Sequence, residues 1–184
     1  MNEGPIFLIG PMASGKTSVG KALAKHLGRE FIDTDKVVVQ RNGTIAEIFA
    51  SHGEAEFRRL ETEALKEAAS SSAVIATGGG AVLNEENRRL IEHSGPAVYL
   101  EIDERAVTPR LMGQSARPLL AGEDPVTRWV TIFEVRERLY QECADVVMDA
   151  RRKPPRVLAR EIAEHLNLTP VPTGDDHDTD HDEN

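Results

Sequence analysis

"PIFLIGPMASGKT", residues 5–17, decides the fold. "PIFLI" (Pro5–Ile9) is a short apolar run closed by Gly10, the mark of a buried strand. Gly10–Thr17, "GPMASGKT", then fits the spacing G-x-x-x-x-G-K-[ST] of a phosphate-binding loop. Successive backbone N–H groups of such a loop face one concavity and cradle phosphate oxygens, and glycines keep side chains out of the way. Beyond it Val19, Ala22, Leu23 and Leu27 recur at helical spacing until Gly28, so a helix presents its positive end to the same anion. Lys16 reaches the β- and γ-phosphates and Thr17 places its hydroxyl on Mg²⁺. Ser14, Gly15, Lys16, Thr17 and Ser18 are thus the candidate ligands of a nucleotide, with ATP as co-substrate and one Mg²⁺ per chain. Met12 and Ala13 stand where glycine-richer versions of the loop carry glycine.

The remaining sequence repeats this alternation. Short strands are expected in "EFIDTD" (30–35), "AVIATGGG" (73–80), "AVYLEI" (97–102) and "DVVMD" (145–149). Helices are expected at 44–53 and 54–72, divided at His52–Gly53, and at 84–95 with Asn84 as N-cap. A further helix begins at 103, with Pro109 restarting or kinking it. Two more cover 126–144 and 154–166. Strands alternating with helices make an α/β protein, a parallel sheet with helices on both faces. Residues 113–125, "GQSARPLLAGEDP", are bracketed by glycine and proline and read as a mobile loop. Residues 169–184, polar and acidic, read as a disordered tail.

Composition bounds the function. The net charge of −9 argues against a nucleic-acid or anionic-membrane binder. No run approaches the ~18 apolar residues of a membrane span, and no basic, apolar leader opens the chain, so a cytoplasmic protein is expected. Cys143, the single cysteine, allows no internal disulfide and reads as a small buried hydrophobe.

Several polar residues follow the expected strands, and ligands of open parallel sheets sit beyond the carboxyl ends of the strands. Asp33 and Asp35, two apart on an extended segment, point the same way. One suits Mg²⁺ through water and the other a substrate hydroxyl, unless Asp35 or Thr34 caps the next helix. Gly78, Gly79 and Gly80 permit close approach of a ligand to the backbone, or merely a flexible strand exit. Arg58 and Glu61 share a helix face, where Arg58 either clamps a carboxylate or pairs with Glu54 at the surface. Arg117 suits a lid closing over phosphates, or is a solvated loop arginine. Arg136 and Arg138 are two further cations, with Glu134 and Glu137 nearby as surface partners.

Set side by side, "GPMASGKT", "DTD", "FRRLE", "GGG", "ARPLL", "RERLY" and "RRKP" resemble the shikimate kinase family in order and spacing, over residues 5–168 or so. The resemblance implies a three-layer P-loop kinase fold with a five-stranded parallel sheet, order 2-3-1-4-5, and a lid near 113–125, in one domain over 1–168. It implies phosphorylation of shikimate at its 3-hydroxyl by ATP. Carried over, Lys16, Asp35 and Arg117 are the catalytic residues, and Thr17 with Asp33 serve the metal. Asp35, Arg58, Gly79, Gly80 and Arg136 hold shikimate, and Arg110 and Arg152 border the adenine. The family's members are often monomers. This chain departs from the family's R-x-P-x-Y pattern, having Arg138 in place of proline, which makes Arg138 a competitor of Arg136 for the carboxylate. The rivals are a kinase of the same fold acting on gluconate or a nucleoside monophosphate, and a nucleotide switch. The guanine-reading N/T-K-x-D motif of such switches is missing.

Overall fold

β1 (Ile6–Ile9) lies at the centre of a five-stranded sheet, and burial on both faces explains why its residues are apolar without alternation. The computed structural model describes residues 4–112 and 124–171. The other strands are β2 (Phe31–Asp33), β3 (Val74–Ala76), β4 (Ala97–Glu101) and β5 (Val146–Asp149). Their order is β2-β3-β1-β4-β5 and each neighbouring pair is parallel, which is the order expected. All five strands therefore end along one edge.

Seven α-helices connect and cover them among the described residues: α1 (Lys16–Leu27), α2 (Thr34–Asn42), α3 (Ile45–Ala69), α4 (Glu85–Ser94), α5 (Glu104–Met112), α6 (Pro125–Cys143) and α7 (Pro155–His165). Leu23, Leu111, Trp129 and Ile162 join one buried cluster, and Leu65, Ile91, Tyr99 and Tyr140 join another. Helix α6 takes part in both, Trp129 near its start and Tyr140 near its end.

Local chemistry sets the boundaries. Thr44 and Glu47 form a capping box at the start of α3, and Asn84 accepts the Glu86 N–H at the start of α4. Gly53, at φ 81° and ψ 174°, kinks α3 where the sequence divides it. Helix α5 runs unbroken through Pro109. Some expectations are corrected. The segment through Asp35 is not extended: α2 begins at Thr34, because the Asp33 carboxylate caps it by accepting the Lys36 N–H at 3.3 Å. The cap is Asp33, not Asp35 or Thr34. Residues 169–171, assigned to the tail, return to α1, where the Val171 N–H donates to the His26 carbonyl at 3.0 Å. Residues 172–184 lie outside the described residues.

Gly28 ends α1 at φ 63°, a left-handed conformation, and a Cβ there would meet Val171 at 2.7 Å. Gly28→Ala is expected to cost about 1–2 kcal/mol, a fall in Tm of roughly 2–8 °C for a chain of this size. Thermal unfolding followed by circular dichroism measures it; an unchanged Tm would mean the cap relaxes freely.

Candidate active site

The carboxyl edge of the sheet opens into a cleft of about 770 Å³. Its floor is the loop between β1 and α1. Gly10 (φ 141°) and Gly15 (φ 94°) adopt backbone angles that side chains resist, and a Cβ on Gly10 would sit 2.9 Å from the Leu100 carbonyl. Ala13 also has positive φ, 65°, at a cost of about 1–2 kcal/mol for a residue with a Cβ. The loop carbonyls from Gly10 to Ala13 are engaged by side chains. Lys16 Nζ donates to the Gly10 and Pro11 carbonyls, both at 2.8 Å. Trp129 Nε1 donates to Met12 O at 2.9 Å, and Arg110 Nη1 to Ala13 O at 2.9 Å. Ser14, Gly15, Lys16, Thr17 and Ser18 all line the cleft.

Beside the loop, Thr17 Oγ1 donates to Asp33 Oδ2 at 2.8 Å, so the hydroxyl and carboxylate form one oxygen-rich corner. Asp35, in the first turn of α2, also faces the cleft. Both acids reach it, through a helix start rather than the extended alternation expected. Burial pushes the Asp35 carboxyl above its usual range, the like charge of Asp33 adds to this, and Lys16 and Arg58 oppose it. Asp35 Oδ1 is buried without a hydrogen-bond partner among the described residues. Buried acceptors are rarely left so, and this one is suited to a donor from a ligand.

Helix α3 brings Arg58 and Glu61. Arg58 Nη1 lies 2.8 Å from Glu61 Oε2, and the Glu61 side chain is 1% exposed. Glu54 also touches Arg58, at 3.2 Å, from an exposed position. The buried arm of this network excludes a mere surface pair. Burial raises the Glu61 pKa, and Arg58 counteracts it. The glycines after β3 allow the approach. A Cβ on Gly78 would collide with Glu61 Oε1 and Asp35 Oδ1, and one on Gly80 with the Arg58 guanidinium. Gly79 and Gly80 line the cleft.

Helix α6 supplies the second arginine. Arg136 lines the cleft and its positive charge acts on the Tyr140 hydroxyl, which itself donates to the Gly79 carbonyl. Burial pushes the Tyr140 phenol up to about 12, so it stays a donor. Arg138 points elsewhere: its side chain is 87% exposed and pairs with Glu142 at 2.6 Å. It does not compete for the cleft. Arg110 lines the cleft, its other arm on Ala150 O at 2.9 Å. Arg152 is exposed and outside the lining; Lys153 of the same turn lines it instead, paired with Glu161. Arg117 and the rest of the expected lid up to residue 123 lie outside the described residues. Cys143 is half-buried against the Tyr140 cluster, away from the cleft, and burial pushes its thiol up to about 11. Sequence reasoning passed over Trp129 and Tyr140 as functional residues. Tyr140 stood inside a quoted motif; Trp129 had no signal beyond being the one tryptophan.

The family model described as shikimate kinase matches residues 12–167. The chain is 39% identical over 168 residues to a shikimate kinase of Nitrosospira multiformis, covering 90% of this chain and 86% of the relative. It is 42% identical over 165 residues to one of Symbiobacterium thermophilum, covering 88% and 95%. Among solved structures, a shikimate kinase of Acinetobacter baumannii in complex with shikimate superimposes with a TM-score of 0.85 at 37% identity, over 89% of this chain and 93% of that one.

The Asp35 environment has a consequence for stability. Its folded pKa lies above 3.8, so from that pH upward the folded chain binds more protons than the unfolded one until the raised pKa is passed. Stability contributed by the protonated form is lost across that window and stays lost at neutral pH. Asp35→Asn is expected to raise Tm at pH 7, with a smaller gain at pH 4. Melting curves at both values check this, and a lower Tm at pH 7 would mean that the cations, not burial, dominate the site.

Proposed function

The chain belongs to the shikimate kinase family, and from that premise we propose how its residues perform the family's reaction. The protein is an ATP-dependent kinase that phosphorylates the 3-hydroxyl of shikimate, giving 3-phosphoshikimate and ADP. One observation carries the assignment of residues: the unpartnered Asp35 Oδ1 shares a cleft with the guanidinium groups of Arg58 and Arg136 and with the phosphate loop. A polyol bearing one carboxylate needs that combination, a hydroxyl acceptor and a cationic clamp.

Arg58 and Arg136 hold the carboxylate, with the bidentate forks that lysine lacks. Glu61 orients Arg58, and the backbone at Gly79 and Gly80 closes the pocket. Asp35 accepts the hydrogen bond of the attacking hydroxyl. As that oxygen bonds to the γ-phosphorus, the bond from phosphorus to the β,γ-bridging oxygen breaks, ADP leaves, and the proton passes to Asp35. The raised Asp35 pKa suits this step, although positioning and electrostatics carry most of phosphoryl transfer. Ser14, Gly15, Lys16 and Ser18 serve the phosphates, Arg117 is the further cation for the transferring charge, and Arg110 borders the adenine, with Arg152 outside the cleft lining.

Thr17 and Asp33 would hold Mg²⁺. Their hydroxyl–carboxylate contact is a pair of hard oxygen donors, and an ion so held takes its other ligands from water and phosphate, the manner in which Mg²⁺ is bound. When bound, the ion neutralises charge on the phosphate oxygens. No helix among the described residues is long and apolar enough to cross a membrane. The net charge of −9 argues against a requirement for nucleic acid or an anionic membrane surface, and the cytoplasmic, monomeric state is proposed from the family alone.

ADP release with ATP and Mg²⁺ should be stimulated by shikimate and not by gluconate; equal stimulation by both would overturn the acceptor. Asp35→Asn should lower kcat by about 10²-fold or more while ATP still binds. Arg58→Lys, which keeps a cation beside buried Glu61, should raise the KM for shikimate by about tenfold, one lost charge-assisted hydrogen bond. An unchanged KM would remove Arg58 from the carboxylate clamp.

A further inference from the structure

We propose that Trp129 is a positioning residue for the nucleotide, acting through the Met12 carbonyl. The proposal rests on the reading of residues 10–17 as the cradle for ATP phosphates. A cradle of N–H groups works only if the alternate carbonyls are turned outward and satisfied. In this loop Lys16 satisfies the first two, at Gly10 and Pro11, from within. The next two, at Met12 and Ala13, are satisfied from other parts of the fold, by Trp129 and Arg110.

The Trp129 bond falls at the strained place. Ala13 has φ 65°, where its Cβ is disfavoured, and such a residue persists when its surroundings over-determine it. The peptide before Ala13 is held by the indole N–H through Met12 O, and the peptide after it by Arg110 through Ala13 O. Between them the two bonds fix both flanks of the left-handed residue, and so the direction of the N–H groups that follow. The donor is rigid: Trp129 is 2% exposed and stacks on Phe133 with centroids 4.8 Å apart. It stands on the helix that carries Arg136 and is not among the residues that line the cleft.

ADP binding measured by calorimetry on the whole chain tests this, with the KM for shikimate at saturating ATP read in parallel. Trp129→Phe keeps a buried ring against Phe133 and removes only the N–H donor and part of the ring. It is expected to weaken ADP binding about tenfold, one hydrogen bond's worth or about 1.4 kcal/mol, with the KM for shikimate unchanged. Replacing Trp129 by 3-benzothienylalanine, which has the same shape and sulfur in place of N–H, should do the same and covers failure of the first variant to fold. Ala13→Gly in the Trp129→Phe background should restore most of the affinity, since glycine adopts the left-handed angle without an anchor; a merely structural tryptophan would show no such rescue. Parent-like ADP affinity in both ring variants, with Lys16→Ala impaired, would overturn the Trp129 assignment alone. Parent-like affinity in Lys16→Ala would overturn the phosphate-loop reading and this proposal with it.

Discussion

A backbone that offers its N–H groups to an anion must find other places for its carbonyls, and this requirement organises the protein. Four carbonyls in a row, from Gly10 to Ala13, each meet a side-chain donor. The donors come from the start of α1, from α5 and from α6. Three helices are thereby fixed to the end of the central strand. One of them, α6, also carries Arg136, so the phosphate loop shares a frame with one arm of the acceptor pocket, while Asp35 and Arg58 come from α2 and α3.

The opposite wall is organised by buried charge. Glu61 and Asp35 are carboxylates that burial disfavours, and Arg58 lies against the first and attracts the second. Breaking such a cluster leaves an uncompensated charge, which costs more than an exposed pair would. The glycines after β3 are part of this solution, since a side chain on Gly78 or Gly80 would occupy the space the charges need. Electrostatic tension here is retained because the cleft needs an acceptor that is not already satisfied.

Much of this was legible before the coordinates. Strand, loop and helix around residues 5–28 follow from apolar runs, glycine spacing and the loop motif, and the parallel sheet follows from alternation. Helix α2 was not legible from Asp33–Asn42, where Val37–Val39 give no helical period and the cap is the carboxylate that also meets Thr17. Arg136 and Arg138 could not be separated by composition, because helix rotation alone turns one toward Tyr140 and the other toward Glu142. Trp129 was opaque for a deeper reason. Its partner is a backbone carbonyl 117 residues away, and backbone atoms leave no signature in a sequence.

The single tryptophan gives the molecule an optical property. Indole emission responds to hydrogen bonding at the ring nitrogen, and here that nitrogen is bonded to the loop beneath the phosphates. All tryptophan fluorescence of this chain originates within one hydrogen bond of the nucleotide cradle. The two tyrosines, Tyr99 and Tyr140, stack on one another in the second core cluster, whereas the indole of Trp129 stacks on Phe133. Selective excitation of the indole therefore observes the phosphate side without labels.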